Sequence, residues 1–293
     1  MFNRIKSNIL FNKLFSRPNI ENAYKMVPPT DSWYDTITTV HNSLARIKEY
    51  NHETVMITSH DGLKLSGIYY PNNSDVTVIS VHGYTSHAER EFAFPGLFYK
   101  SLGYNVLIPY QRAHGLSEGK YLTFGPLEHM DMLKWIDYVN EINPNGQIIL
   151  HGLSMGGGIL LHLCNKEAKN VKCMVVDAPS GSANDFLKNV SNEVFKKSGP
   201  KVYKNILKKY QRTFNVNLEE YDLMKFVTEN KYPTLLSAGE MEGRSQQFNY
   251  LTSISPSPID NIILPGCNHG NGMYKQTALY QNKIKEFINK YIE

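Results

Sequence analysis

The chain has 293 residues, of which 41% are hydrophobic and 20% charged, a composition typical of a folded globular protein. Its net charge of +4 is mild, and no lysine or arginine run is long enough to predict a nucleic-acid groove. The three cysteines, Cys164, Cys173 and Cys267, have unrelated spacings. They predict neither a disulfide framework nor a metal knuckle, so we expect no bound metal ion.

Residues 1–50 are predicted to form an N-terminal helical extension, interrupted at Pro28-Pro29. The segment 1–15 is basic and amphipathic, but its apolar runs are too short for a signal peptide or a transmembrane span. We expect it to dock on the remaining protein as an amphipathic helix, with a weak contact to a membrane surface as the alternative. By default we expect the protein to be located in the cytoplasm.

From Glu53 onward the pattern changes to that of strands. Two β-rich runs, Thr54–Thr58 and Leu65–Tyr70, flank an Asp-Gly pair, which is a hairpin signal. After residue 75, short apolar runs typical of buried strands alternate with segments of helical period. The predicted strands are Val76–Val81, Tyr104–Ile108, Ile148–Leu150, Val171–Val176, Thr234–Ala238 and Ile259–Leu264, and the predicted helices are Phe92–Leu102, Leu127–Val139, Ile159–Asn165 and Thr277–Tyr291. This alternation indicates an α/β protein with a mostly parallel central sheet and helices on both faces.

The alternation stops between Ala178 and Tyr232. This segment is too long for a structureless loop, and Phe186–Phe195 and Val202–Tyr210 have helical spacing. We therefore predict a helical cap at 179–232, inserted into a core formed by 51–178 and 233–293. Apolar residues of the cap are expected mainly to pack it onto the core, with a role in lining an acyl pocket as the alternative. They are Phe186, Val190, Phe195, Tyr203, Ile206, Leu207, Tyr210 and Phe214.

The segment Gly152-Leu-Ser-Met-Gly156 lies between a predicted buried strand and a predicted helix. This is the G-x-S-x-G pattern in the strand–turn–helix context of a nucleophile elbow. The flanking glycines allow strand and helix to approach closely, and the helix start directs N–H groups at any anion forming there. We predict that Ser154 is a nucleophile.

A serine hydroxyl needs a base, and the base needs an orienting group. His269 lies in a glycine-rich loop after the last predicted strand, at the edge of the sheet where ligands bind in α/β proteins. We predict that it is the base. Candidates for the orienting acid are Glu240 and Glu242, which follow a strand, and Asp177, which more often would cap its turn.

Two N–H donors are needed for the oxyanion of a tetrahedral intermediate. One is the amide of Met155, directly after the predicted nucleophile. The other is expected from the Val81–Ser86 loop, where Gly83 permits a tight turn and the Tyr84 amide can face the site. His82 is expected to brace this loop by hydrogen bonds, and Cys267 is a remote alternative as a catalytic thiol.

In these motifs the chain resembles the α/β-hydrolases, specifically the bacterial esterase and peptidase-like branch related to prolyl-oligopeptidase-type domains and cinnamoyl esterases. The resemblance covers residues from about 53 to 293. It rests on His82-Gly-Tyr-Thr85, Arg112-Ala-His-Gly-Leu-Ser-Glu-Gly119, Gly152-Leu-Ser-Met-Gly156, Asp177-Ala-Pro179 and His269-Gly270.

The resemblance implies the α/β-hydrolase fold, with Ser154 as nucleophile, His269 as base and Tyr84 and Met155 as oxyanion donors. The family's acid loop usually reads H-G-x-x-D, so the acid falls on Glu242, with Glu240 as runner-up. This is a departure from the family at two positions, because the histidine is missing and a glutamate replaces the aspartate. Arg112 and His114 match a structural turn of the family and are expected to be scaffold.

The resulting expectation is a serine hydrolase that cleaves carboxylic esters of small molecules through an acyl-enzyme, without a cofactor. Peptidase, amidase or thioesterase activity would use the same residues on a short peptidyl or acyl substrate. A non-catalytic protein with this fold is the alternative from a different class.

Overall fold

A single β-sheet organises residues 2–21 and 27–292, the part of the chain that this computed structural model describes. In chain order its strands are β1 Glu53–Thr58, β2 Lys64–Tyr70, β3 Val76–Val81, β4 Asn105–Pro109, β5 Gln147–Leu153, β6 Val171–Asp177, β7 Thr234–Gly239 and β8 Ile259–Leu264. They lie side by side in the order β1-β2-β4-β3-β5-β6-β7-β8. Strand β2 pairs antiparallel with β1 and β4, and the other neighbours are parallel. The predicted hairpin and mostly parallel sheet are confirmed.

Helices cover both faces of this sheet. Those of the described residues are α1 Phe2–Phe15, α2 Ile37–Ile47, α3 Ala88–Ser101, α4 Glu128–Ile142, α5 Met155–Leu163, α6 Ala183–Phe195, α7 Gly199–Phe214, α8 Leu223–Val227, α9 Ser245–Ile254, α10 Gly272–Lys275 and α11 Thr277–Ile288. Alternate residues of β3 enter opposite layers: Ile79 packs in one core with Trp135 of α4, and Val78 packs in the other with Phe92 of α3 and Phe287 of α11. The predicted fold class is confirmed.

Helices α3, α5, α6 and α7 each begin three or four residues earlier than their apolar spacing predicts. Helix α3 starts at Ala88 because its first turn carries charged residues that give no apolar signal. Helix α5 starts at Met155, directly after the predicted nucleophile, although three glycines occupy its first turns. Glycine has a low helix propensity, but burial of the whole helix outweighs it.

Helix α1 packs against α7 of the predicted cap. Leu10 and Phe11 of α1 are buried in one cluster with Ile206 and Tyr210 of α7, which confirms that the N-terminal helix docks on the rest of the protein. Most of the apolar residues named above for the predicted cap belong to this same cluster, so they pack the cap against its neighbours. The domain boundaries 1–50, 51–178 with 233–293, and 179–232 stay a prediction. Within the ranges 2–21 and 27–292, no helix has the length and apolar character needed to cross a membrane.

Candidate active site

Ser154 occupies the sharp turn between β5 and α5. Its backbone has φ 56° and ψ −113°, a strained conformation for a residue with a side chain. The turn closes because Gly156 lies against the Val81 carbonyl, where a Cβ atom would collide with the carbonyl oxygen. The strain is sustained by main-chain hydrogen bonds, including Ser154 N–H to the Asp177 carbonyl at 2.9 Å. The local sequence therefore holds the serine hydroxyl above the end of the sheet.

His269 lies within hydrogen-bond distance of Ser154. Its Nε2 atom is 2.9 Å from Ser154 Oγ, and its Nδ1 atom is 2.7 Å from Glu242 Oε2. An ionised carboxylate can only accept, so Nδ1 carries the proton and Nε2 presents a lone pair to the serine hydroxyl. The imidazole is half exposed, whereas the Glu242 side chain is buried. Residues 154, 242 and 269, predicted separately, thus form one connected chain of hydrogen bonds.

The Glu242 carboxylate is held at both of its oxygens. Oε1 accepts the Gly239 N–H at 3.0 Å, and Oε2 accepts Arg244 Nε at 3.0 Å besides His269. Burial by itself raises the pKa of Glu242, but the His269 hydrogen bond and charge, the Gly239 N–H and Arg244 outweigh it and lower the pKa. The carboxylate is therefore charged at neutral pH. Sequence reasoning missed Arg244, although its position two residues after Glu242 was a usable signal.

The two alternative acids point elsewhere. Glu240 accepts the Gly266 N–H at 2.9 Å and is exposed to solvent. Asp177 is buried beneath the site, where its Oδ1 accepts the Ser237 hydroxyl at 2.9 Å, and that hydroxyl also contacts the Tyr280 hydroxyl. Burial, assisted by the Glu242 charge, raises the pKa of Asp177 to about 7 despite the Ser237 hydrogen bond. Neither carboxylate therefore accepts the hydrogen bond that His269 Nδ1 donates.

Tyr84 and Met155, the predicted oxyanion donors, lie on segments next to Ser154. Met155 begins α5, so its amide has no acceptor within the helix. The Tyr84 loop approaches so closely that a Cβ atom at Gly83 would lie 3.4 Å from Ser154 Cβ. Glu91, a buried carboxylate that the sequence did not single out, fixes this loop by accepting the Gly83 N–H at 2.8 Å.

His82 braces the same loop, as predicted. Its Nε2 accepts the Gln111 N–H at 3.0 Å, so its Nδ1–H donates to the Gly83 carbonyl at 2.8 Å. Arg112 joins Asp61 and Asp131 in ion pairs of 2.9 Å and 2.6 Å. Together with His114, which is buried, these contacts confirm a scaffold role for the Arg112–Gly119 turn.

The thiol of Cys267 is buried and contacts the Pro265 carbonyl. Burial raises the pKa of this thiol, which makes it a poor nucleophile at neutral pH. All three cysteines are free and buried. The thiol alternative to Ser154 therefore has no support in the geometry.

A cavity of about 340 Å³ opens beside Ser154 and His269, and the N-terminal extension forms one of its walls. Trp33 is central to this wall: a Cβ atom at Gly270, next to His269, would lie 3.3 Å from the Trp33 ring. Asn271 Nδ2 donates to the Ser32 carbonyl at 3.0 Å and ties the wall to the histidine loop. The extension contributes Val27, Asp31, Trp33 and Ile37. Apolar spacing gave no signal for this contribution.

The predicted cap lies on a different side. Among its residues, all of which the structure describes, none lines the cavity beside Ser154 and His269. Phe186 instead lines a second cavity of about 330 Å³ between the insertion and the core, together with Leu223 and Leu251. Ser154 and His269 do not line this second cavity.

Comparisons with known proteins agree with this architecture. A family model described as serine aminopeptidase, S33, matches residues 72–237. The Bacillus subtilis protein YqkD is 32% identical over 118 residues, which span 40% of this chain and 38% of YqkD. The match thus spans about two fifths of that relative's length.

Solved structures extend the likeness to most of the chain. The Pyrococcus furiosus esterase Pf2001 is similar with a TM-score of 0.66 and 25% identity, over 85% of this chain and 94% of the esterase. Est1E of Butyrivibrio proteoclasticus, solved with ferulic acid, shares the fold with a TM-score of 0.62 and 18% identity, over 81% of this chain and 98% of Est1E. Because the family model covers more than half of the chain, the protein belongs to the serine aminopeptidase S33 family of α/β-hydrolases.

Proposed function

We propose that the protein is a serine esterase that cleaves carboxylic esters through an acyl-enzyme, with Ser154, His269 and Glu242 as its triad. The observation that carries the proposal is the position of His269, within 2.9 Å of Ser154 Oγ and 2.7 Å of Glu242 Oε2. This is the relation of nucleophile, base and orienting acid that acyl transfer requires. The esterase Pf2001 among the similar structures supports the same reaction class.

In the acylation step, Ser154 Oγ attacks the ester carbonyl while His269 Nε2 takes the hydroxyl proton. The negative charge that develops on the carbonyl oxygen is stabilised by the amides of Tyr84 and Met155. Glu242 stabilises the imidazolium and holds its tautomer. His269 then donates its proton to the leaving alkoxide, and the acyl group remains on Ser154.

In the deacylation step, a water molecule takes the position of the alcohol. His269 Nε2 removes its proton as the water oxygen attacks the acyl carbon, and the same amides hold the oxyanion. Collapse of the intermediate returns the proton to Ser154 Oγ and releases the carboxylic acid. The charged state of Glu242 is the same in both steps, since its pKa is lowered by its hydrogen bonds.

The cavity beside Ser154 supports a small acyl group. Its volume of about 340 Å³ is near the lower end of ligand pockets, and Trp33, Ile37 and Leu153 give it an apolar wall. Short aliphatic or single-ring acyl groups fit such a volume. We therefore expect p-nitrophenyl esters of short acids to react faster than those of long fatty acids.

Aminopeptidase activity is the second candidate, and the carboxylates of the cavity are the observation that favours it. Asp31 and Glu91 both line the cavity that contains Ser154. The free amino terminus of a peptide is cationic, so acidic side chains that line the same cavity as Ser154 would favour its binding. Aminoacyl p-nitroanilides and their N-acetylated counterparts separate the two candidates, because only an aminopeptidase prefers the free amine.

A fluorophosphonate probe tests the serine chemistry that both candidates share. Wild type and Cys267→Ala should be labelled, whereas Ser154→Ala should not. If Ser154→Ala is labelled as strongly as wild type, the nucleophile is another residue. No labelling of folded wild type would favour the non-catalytic alternative.

A further inference from the structure

Helix α1 is apolar on two opposite faces. Leu10, Phe11 and Leu14 are buried against the insertion, as expected for a docked helix. On the other side, Phe2, Ile5 and Ile9 follow one another at spacings of three and four residues and form a second stripe. Their exposed fractions are 82%, 49% and 61%. A surface helix ordinarily has polar residues on this side, so the second stripe indicates a second apolar environment.

The surroundings of this stripe are strongly basic. Residues 1–17 and 183–214 together hold 12 lysines and arginines and two acidic residues. The whole chain holds 31 lysines and arginines and 27 acidic residues. The net positive charge of the protein is therefore concentrated on α1 and the helices that pack beside it. On α7, one stripe is exposed, and its side chains form no ion pair with any described residue. Its members are Lys201, Lys204, Lys208 and Arg212.

Lys209 joins the apolar stripe to the basic one. Its ammonium group donates to Asn8 Oδ1 at 3.1 Å and Asn12 Oδ1 at 3.3 Å, and lies 4.2 Å from the centre of the Phe11 ring. Asn8 and Asn12 border the exposed stripe of α1, and Lys209 borders the exposed stripe of α7. The two stripes are thus adjoining parts of one surface, which we call the α1–α7 surface.

We propose that the α1–α7 surface binds the interface of an anionic lipid bilayer. Protruding Phe and Ile side chains would enter the acyl boundary, and the lysines would lie at the level of acidic headgroups. An exposed apolar stripe gains little from a nucleic-acid backbone, so charge complementarity combined with apolar exposure favours lipid. This property is separate from the serine chemistry.

Co-sedimentation with vesicles tests the proposal directly. Full-length protein should bind vesicles of phosphatidylglycerol and phosphatidylcholine in equal parts at about 0.1 M salt, and bind pure phosphatidylcholine vesicles far less. The double variant Ile5→Ser/Ile9→Ser should lower the partition coefficient by at least about tenfold, because two exposed aliphatic side chains are lost. Lys201→Glu/Lys208→Glu should lower it about tenfold or more and reduce its dependence on salt.

Matched controls separate this surface from general stickiness and charge. Ile142→Ser removes an isoleucine elsewhere whose exposed fraction, 45%, is close to the 49% of Ile5. Lys169→Glu/Lys285→Glu makes the same change of net charge on other surfaces. Both should bind like wild type, as should Ser154→Ala, whose binding is independent of catalysis. Unchanged hydrolysis of a water-soluble ester by the Ile5→Ser/Ile9→Ser variant would show that it is folded.

Three outcomes would overturn the proposal. The first is no binding of wild type to anionic vesicles at low salt. The second is binding that the Ile5→Ser/Ile9→Ser change leaves at the wild-type level, which would make the surface a site for polyanions in general. The third is displacement from vesicles by duplex nucleic acid that the Ile5→Ser/Ile9→Ser variant binds equally well.

Discussion

Arg244 donates a hydrogen bond of 3.0 Å from Nε to Oε2 of Glu242, the same oxygen that faces His269. The arginine is two residues beyond the glutamate, at the start of α9, and its guanidinium also donates to Gln247 at 3.2 Å. A carboxylate with all these donors is restricted to one orientation. The glutamate side chain is longer than that of the aspartate usual in the family. These donors fix it within hydrogen-bond distance of the His269 imidazole.

The first prediction concerns the identity of the acid. Glu242→Gln should lower kcat/KM for a p-nitrophenyl ester by about 10³- to 10⁴-fold, because the neutral amide neither stabilises the imidazolium nor fixes the tautomer. Glu240→Gln, two residues away, should change it less than about threefold, since Glu240 contacts the Gly266 amide instead of His269. Similar losses in the two variants would contradict the assignment.

The second prediction concerns Arg244 as a positioning residue. Arg244→Gln should lower kcat about fivefold to tenfold with little change in KM, as expected for the loss of about 1–1.4 kcal/mol from one charge-assisted hydrogen bond. Glu242 would keep the Gly239 and His269 contacts, so the loss should be far smaller than that of Glu242→Gln. Arg244→Lys should restore part of the rate. A change confined to KM would instead assign Arg244 to substrate binding.

The third prediction concerns the wall of the cavity. Trp33→Ala should enlarge the space beside His269 and shift the kcat/KM ratio of long to short acyl esters by about tenfold in favour of long ones. Tyr34→Ala is the matched control, because Tyr34 is an exposed aromatic neighbour that does not line the cavity. If the two variants have the same acyl-chain profile, the extension does not contribute to the substrate site.

The fourth prediction concerns the pH dependence of stability. Burial and the Glu242 charge raise the pKa of Asp177 to about 7 in the folded protein, against an ordinary value of 3.8. Between these values the folded state binds more protons than the unfolded state, so this residue lowers the free energy of unfolding as pH rises. The loss approaches about 1.4 kcal/mol for each pH unit at most.

Asp177→Asn isolates this contribution, because asparagine cannot ionise. Urea unfolding at about pH 5 and about pH 7 should show wild type losing stability relative to the variant as pH rises. A difference between the two proteins that does not change with pH would show that Asp177 has no raised pKa.

The positions of Ser154 and His269 were predictable because their signals are local. The backbone of Ser154 is dictated by glycines within two residues and by the strand and helix on either side. His269 follows from its loop, which any parallel sheet brings to the same edge as the Ser154 turn. The strands of the sheet were similarly predictable from short apolar runs such as Val76–Val81.

The contact between Glu242 and His269 and the wall of the cavity were harder to predict, for different reasons. Glu240 and Glu242 lie in one short turn, and only its three-dimensional course determines which side chain reaches His269. Trp33 is separated from Gly270 by most of the chain, and its role depends on a tertiary contact that leaves no periodic trace. Propensity also failed at α5, where packing stabilises a glycine-rich first turn.

The hydrogen bond between Asn271 and Ser32 joins residues that are 239 positions apart. Closing so large a loop costs chain entropy, which is recovered only after the intervening sheet and helices have formed. During synthesis, the wall segment leaves the ribosome well before the histidine loop, with all eight strands between them. The cavity beside Ser154 is therefore complete only when two distant segments, the wall around Trp33 and the loop of His269, have both been synthesised and brought together by the fold.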